Sequence, residues 1–180
     1  MRQIKINSVL GNEVVTVAEV KDYVRIDTSA DDALIGQMIR QARIWCENYI
    51  SRDIVAKNRT YYIDYTDTGL FDLPFGPVNS IDQITIDGTA TTSYEILGLD
   101  NETIELDQGS AKRVKVTYNT VGLGDSWTTA LTNDPLLKQA MLQLISTYYD
   151  NRADFVDGSS VSEIPTNVRN ILSSYKAMFI

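Results

Sequence analysis

The hydrophobic period of this chain changes twice, and that change limits the fold more than any single motif. Apolar residues recur at three- and four-residue steps up to about residue 51, alternate between about 54 and 132, and return to helical steps after that. A segment patterned for one period cannot keep its apolar face buried in the other. The chain is therefore expected to be α+β: an antiparallel helical bundle built from residues 1–53 and 133–180, with an inserted small β-sandwich or barrel over 54–132. At 180 residues it can bury a sizeable core without covalent staples.

The helical boundaries carry their own signals. Thr16-Val17-Ala18-Glu19 has the capping-box spacing, with Val17, Val20 and Val24 as a short stripe behind it. Ser29 to Asp32 supply a second N-cap with acid in the first turn. Leu34, Ile35, Met38, Ile39, Ala42, Trp45, Cys46 and Tyr49 then predict a helix ending near Ser51. Asp134-Pro135 opens a third helix along Leu136, Leu137, Ala140, Met141, Leu144, Ile145, Tyr148 and Tyr149, to about Arg152. Residues 153–163 read as a polar loop, and Pro165-Thr166 starts a last helix with Val168, Ile171, Leu172, Tyr175 and Phe179.

In the middle, strands are predicted at 60–65, 71–73, 81–86, 94–97, 103–106 and 114–119, separated by Asp87-Gly88, Gly98, Gln108-Gly109 and the Pro74-Phe75-Gly76-Pro77 corner. Ile81, Ile84 and Ile86 break strict alternation, which points to a bulge.

Charge and chemistry exclude more than they suggest. The net charge is −8, and residues 54–132 hold 5 Lys+Arg against 11 Asp+Glu, so the β segment carries −6 of it. Such acidity opposes wrapping of nucleic acid, which needs a basic footprint. There is no histidine and one cysteine, Cys46, so zinc sites and His-assisted nucleophiles lack their usual parts. No apolar run approaches a membrane span, and residues 1–10 do not read as a signal peptide, so an intracellular site of synthesis and no membrane partner are expected. No metal and no cofactor is expected. Carboxylates are the one catalytic raw material in quantity. Glu102, Glu105 and Asp107 around a short strand would have to form a cleft for a glycan hydrolase, and a solvated acidic face is the better reading. Gly122-Leu123-Gly124 lacks the Lys and Ser/Thr of a phosphate loop, and Lys112, Arg113 and Lys115 read as well as strand-edge guards as they do as a phosphate contact.

Ten tyrosines is a high count. Tyr49, Tyr148, Tyr149 and Tyr175 lie on or beside helix stripes, where an apolar ring with a polar tip suits a subunit interface. The apolar end, Met178, Phe179 and Ile180, either docks on its own subunit or plugs a partner.

The order of these motifs carries a resemblance. Thr16 to Asp27, then Asp31-Asp32-Ala33-Leu34-Ile35, then Ala42-Arg43-Ile44-Trp45-Cys46-Glu47-Asn48-Tyr49, resembles the tailed-phage head–tail connector (adaptor) family. The variant is the longer one often labelled a phage DNA-packaging protein. Leu73-Pro74-Phe75-Gly76-Pro77-Val78 is similar to its LP-x-x-PV corner, Val114 to Tyr118 to its strand before a Gly-rich link, and Pro135 to Arg152 to its P…A…L…YY-x-x-R helix. Ile164-Pro165 to Tyr175 is similar to its closing segment, with Lys176 where Arg is usual.

The resemblance implies a structural, non-enzymatic role in the virion at the portal vertex, after assembly in the host cytoplasm. The partners it implies are the portal protein, other tail or connector proteins, and further copies of the chain in a homo-oligomeric ring, commonly a dodecamer. DNA would pass through that ring without specific binding. Met178, Phe179 and Ile180 would then be portal contacts. Carboxylates at Asp64, Asp82, Asp87, Glu102 and Glu105 would face the channel and repel phosphate. The alternative from the residues alone is a β-domain module that binds carbohydrate or protein.

Overall fold

The computed structural model describes residues 1–123, 135–151 and 165–176. The chain is α+β, with two antiparallel sheets and four helices. It divides into two units, Met1–Asn12 with Arg52–Thr128, and Glu13–Ser51 with Thr129–Ile180.

The first unit holds the strands. They are β1 (Arg2–Val9), β2 (Lys57–Thr66), β3 (Leu70–Asp72), β4 (Val78–Ile86), β5 (Thr89–Thr91), β6 (Tyr94–Leu97), β7 (Thr103–Leu106) and β8 (Ala111–Thr120). One sheet has the order β1-β2-β8-β4-β5 and the other β3-β7-β6. A single core draws on both: Tyr61, Ile63, Ile84, Val114, Val116 and Tyr118 from the larger sheet, Phe71, Ile104 and Leu106 from the smaller. Tyr118 is fully buried, and its phenol donates to the Pro74 carbonyl at 2.6 Å, so the one polar atom of the ring is satisfied. The irregular isoleucine spacing on β4 becomes two register shifts against β8, between Val78 and Ser80 and between Ile81 and Gln83. Gly69 shows why the β2–β3 turn needs glycine. Its φ is +80°, and a Cβ there would sit 2.4 Å from the Gly109 carbonyl oxygen.

Two strands were not among the expected elements. β1 pairs with β2 in antiparallel register, Ile4 opposite Tyr61 and Lys5 opposite Thr60. It groups residues 1–12 with the strands, whereas the sequence reading grouped 1–53 with the helices. All eight residues of β1 are exposed, so no buried alternation marked it. β5 is a short polar return from the Asp87-Gly88 turn, where both residues have positive φ.

A buried charge cluster ties β2 to β8. Asp53 is fully buried and accepts from Lys57 Nζ at 2.7 Å, Arg59 Nε at 2.8 Å and Nη2 at 2.6 Å, and Thr120 Oγ1 at 2.6 Å. Its carbonyl accepts from the Leu123 amide at 2.9 Å. The Arg59 guanidinium also lies over the Phe75 ring, 3.8 Å from its centre. Burial alone would raise the Asp53 carboxyl pKa, but Arg59 and Lys57 outweigh it and hold the pKa below its ordinary value.

The second unit holds α1 (Val17–Val24), α2 (Asp32–Ile50), α3 (Pro135–Asp150) and α4 (Thr166–Ser173). The capping box forms as read: the Thr16 hydroxyl accepts from the Glu19 amide at 3.3 Å, and the Glu19 carboxylate accepts from the Thr16 amide at 2.9 Å. The α2 stripe buries Ile35, Met38, Ile39, Ala42, Cys46 and Ile50, and α3 packs on it through Leu137, Ala140, Met141, Leu144 and Ile145. Leu136, expected on that stripe, is instead exposed. α4 adds Val168 and Leu172.

Asp53→Asn should lose about 3–5 kcal/mol of unfolding free energy, because the buried cations Lys57 and Arg59 would lose the carboxylate charge that both of them face. The wild-type contribution is complete at neutral pH. It declines as pH falls below about 4, where the unfolded carboxyl takes a proton and the folded one does not yet do so. Urea titrations at pH 7 and pH 3 should show a smaller acid loss in the variant than in wild type; equal losses would refute the assignment.

Candidate functional site

The sequence nominates surfaces, and the structure distributes them over both units. In the helical unit, Tyr49 is half-buried and stacks on Trp45, with ring centres 5.2 Å apart and planes 14° apart. Lys176 Nζ lies 5.6 Å from the centre of the Tyr49 ring. Tyr149 is half-buried and donates from its hydroxyl to the Asp31 carboxylate at 2.7 Å, joining α3 to the start of α2. Tyr148 is half-buried, and burial, with a smaller effect from Cys46, raises its phenol pKa. Tyr175 follows α4, half-buried, with its amide bonded to the Leu172 carbonyl at 3.0 Å. Met178, Phe179 and Ile180 lie outside the described residues, as does the expected loop at 153–163.

The five candidate acids do not form one patch. Asp64 and Asp82 lie on the outward face of the larger sheet, and Asp87 lies in the turn that follows β4. Asp64 pairs with the amino group of Met1 at 2.8 Å, which with the Tyr62 hydroxyl lowers the Asp64 pKa. Asp87 pairs with Arg113 at 2.6 Å. Asp82 accepts from the Asn58 and Asn119 side-chain amides, each at 2.7 Å. Glu102 precedes β7 and keeps one buried oxygen, Oε2, with no hydrogen-bond partner among the described residues. Glu105 is exposed on β7 of the smaller sheet, directly opposite Glu95 on β6.

Glu102, Glu105 and Asp107 follow one another along β7 and its turn. An open groove of about 590 Å³ is lined by Gln3, Ile4, Lys5, Thr60, Tyr62 and Lys115. No group of three or more Cys, Asp or Glu placed to hold a metal occurs among the described residues, and no described helix is long and apolar enough to cross a membrane.

Sequence reasoning missed the second buried charge network. Arg43 donates to Glu13 from Nε at 2.8 Å and from Nη2 at 3.1 Å, and to Glu47 from Nη1 at 2.9 Å. Burial works against the guanidinium charge, but Glu13 and Glu47 outweigh it and raise the Arg43 pKa. The i,i+4 spacing of Arg43 and Glu47 was visible; their burial was not.

With the geometry described, relatives become informative. The family model described as head completion protein matches residues 13–178. The chain belongs to the head completion protein family. No curated protein matches it in sequence. Among solved structures, a chain from the neck of an empty gene transfer agent particle, computed with C6 symmetry, superposes with a TM-score of 0.76 at 20% identity. A chain from the virion of a native gene transfer agent particle gives 0.70 at 16%, and one from a native particle neck computed with C12 symmetry gives 0.67 at 17%. Each match covers 99% of this chain and 97% of the other. At these identities the likeness is one of fold, and it runs from end to end.

Two measurements test the helical unit of this head completion family member. Burial, then the nearby Glu47 charge, pushes the Cys46 thiol pKa up to about 12, so iodoacetamide at pH 8 should modify it only after denaturant is added. Rapid stoichiometric labelling of native protein would contradict this. Tyr149→Phe should lower stability by about 1 kcal/mol through the lost bond to Asp31, read from a urea midpoint, and no change would show that the bond contributes nothing.

Proposed function

We propose that the chain is a structural head–tail connector that forms a homo-oligomeric ring beneath the portal protein and presents a docking surface to other tail or connector proteins. One observation carries this reading: family membership over residues 13–178, joined to a fold matched along nearly its whole length by chains from particle necks. The C6 and C12 symmetries named for those necks support a cyclic assembly, with twelve subunits as the expected number. Identical subunits arranged around an axis need heterologous contacts, with different patches meeting at each junction. We place the protein in the virion at the portal vertex, after assembly in the host cytoplasm.

The finer architecture follows the same reading. The β unit is a small sandwich, because one core takes side chains from both of its sheets, and the helices form an antiparallel bundle. Asp64 and Asp87 are ion-paired and Asp82 is held by amides. The proposed DNA-facing role therefore rests mainly on Glu105, whose charge would repel phosphate without binding it. Met178, Phe179 and Ile180 remain the proposed portal contacts.

A particle reconstruction that locates this chain tests the assignment. Copies should encircle the axis between capsid and tail, with Glu105 toward the DNA path. Particles made without the protein should contain heads that fail to join tails. Copies found on the capsid lattice or on a fibre would refute the reading.

A further inference from the structure

The two sheets leave two different strand edges open, and their chemistry is complementary. β1 ends the larger sheet and is bonded to β2 on one side only. Ile4 and Ile6, opposite the buried Tyr61 and Arg59 and so on the core side of the strand, are 39% and 48% exposed. Arg2 and Lys5 are its charged residues, with no acid along the strand. β6 ends the smaller sheet and is bonded only to β7. Ile96 and Leu97 on it are 43% and 36% exposed, and Leu99 just beyond is wholly exposed. Its one charged residue is Glu95, opposite Glu105 on β7. Like charges directly opposite one another weaken a strand pair, and no ion pair among the described residues relieves this one.

We propose that β1 of one copy adds to the free edge of β6 in the next copy, and that this strand addition is the subunit contact of the ring. This rests on the ring reading above. The pairing has a natural register: antiparallel, with Lys5 opposite Glu95, Ile4 meets Ile96 and Ile6 meets Tyr94. Both apolar pairs then lie on the core side of their sheets, while the ammonium lies beside the Glu95–Glu105 pair on the outer side. Charge selects the partner. β1 against another β1 sets lysines together, whereas β1 against β6 sets lysine against glutamate.

The two edges are unlike surfaces on different sheets, as a head-to-tail contact requires. From β1 to β5 the larger sheet spans four strand spacings, roughly 19 Å, and β6 follows β5 after only Thr92 and Ser93. Within the chain β1 pairs with β2 and β6 with β7, leaving each outer edge open, and a contact between unlike edges propagates from copy to copy.

Oxidative crosslinking of the full-length double variant Lys5→Cys/Glu95→Cys, assembled into particles, tests this directly. The expected result is a ladder of covalent multimers on a denaturing gel, absent from either single variant. Cys46 should not contribute, since it is fully buried. A second measurement reads ring assembly by Lys5→Glu, Glu95→Lys and the pair together. Each single reversal should raise the protein concentration needed severalfold, and the pair should restore it. Rings that assemble normally but give no ladder, or in which reversals have no effect, would overturn the strand contact and leave the ring reading standing. Dimers from Lys5→Cys alone, or links to another protein, would also overturn it. A wild-type protein that forms no ring in particles would remove both readings.

Discussion

The β unit is organised around one buried carboxylate. Asp53 stands where the chain leaves α2 for the strands, and it draws two cations and a hydroxyl from β2 and β8 into the interior. A carboxylate taken out of water without partners would be prohibitively costly. The cluster is tolerable because the lysine, the arginine fork and the threonine arrive together, and each of those groups depends on the carboxylate in return. This interdependence fixes register. A slip of β2 by one residue would turn Lys57, Arg59, Tyr61 and Ile63 to the solvent side at once. The same bonds hold the Phe75 corner through Arg59, and so the loop that carries the chain from the smaller sheet back to the larger one.

The helical unit repeats the device on a smaller scale, with Arg43 between Glu13 and Glu47. Both networks set ion pairs with buried members, Asp53 in one and Arg43 with Glu47 in the other, among apolar surroundings, where they specify which side chains meet. The exposed acid that remains among the described residues lies chiefly on the strands and turns of the β unit.

Much of this was legible in the sequence where local physics decides. The Thr16–Glu19 capping box, proline at the first position of α3 and the alternation that marks strand over 60–65 need only neighbouring residues to specify them. What escaped was set by distant partners. β1 reads as polar because an edge strand has no covered face, and its pairing depends on β2 some fifty residues away. The buried charges escaped because charge is normally assigned to solvent. Yet Lys57 and Arg59 fall in phase with Tyr61 and Ile63, and that shared parity was the available clue. The bond from Tyr149 to Asp31 belongs to tertiary packing and leaves no periodic trace.

The pairing of β1 with β2 has a consequence for synthesis. The first strand leaves the ribosome before α1 and α2, and its partner follows only after both helices have been made. At roughly 5–20 residues per second, β1 waits several seconds with neither edge bonded. β8, the other neighbour of β2, arrives later still. The order of translation thus favours the two N-terminal helices forming first and the large sheet closing late, when the start of the chain returns to it.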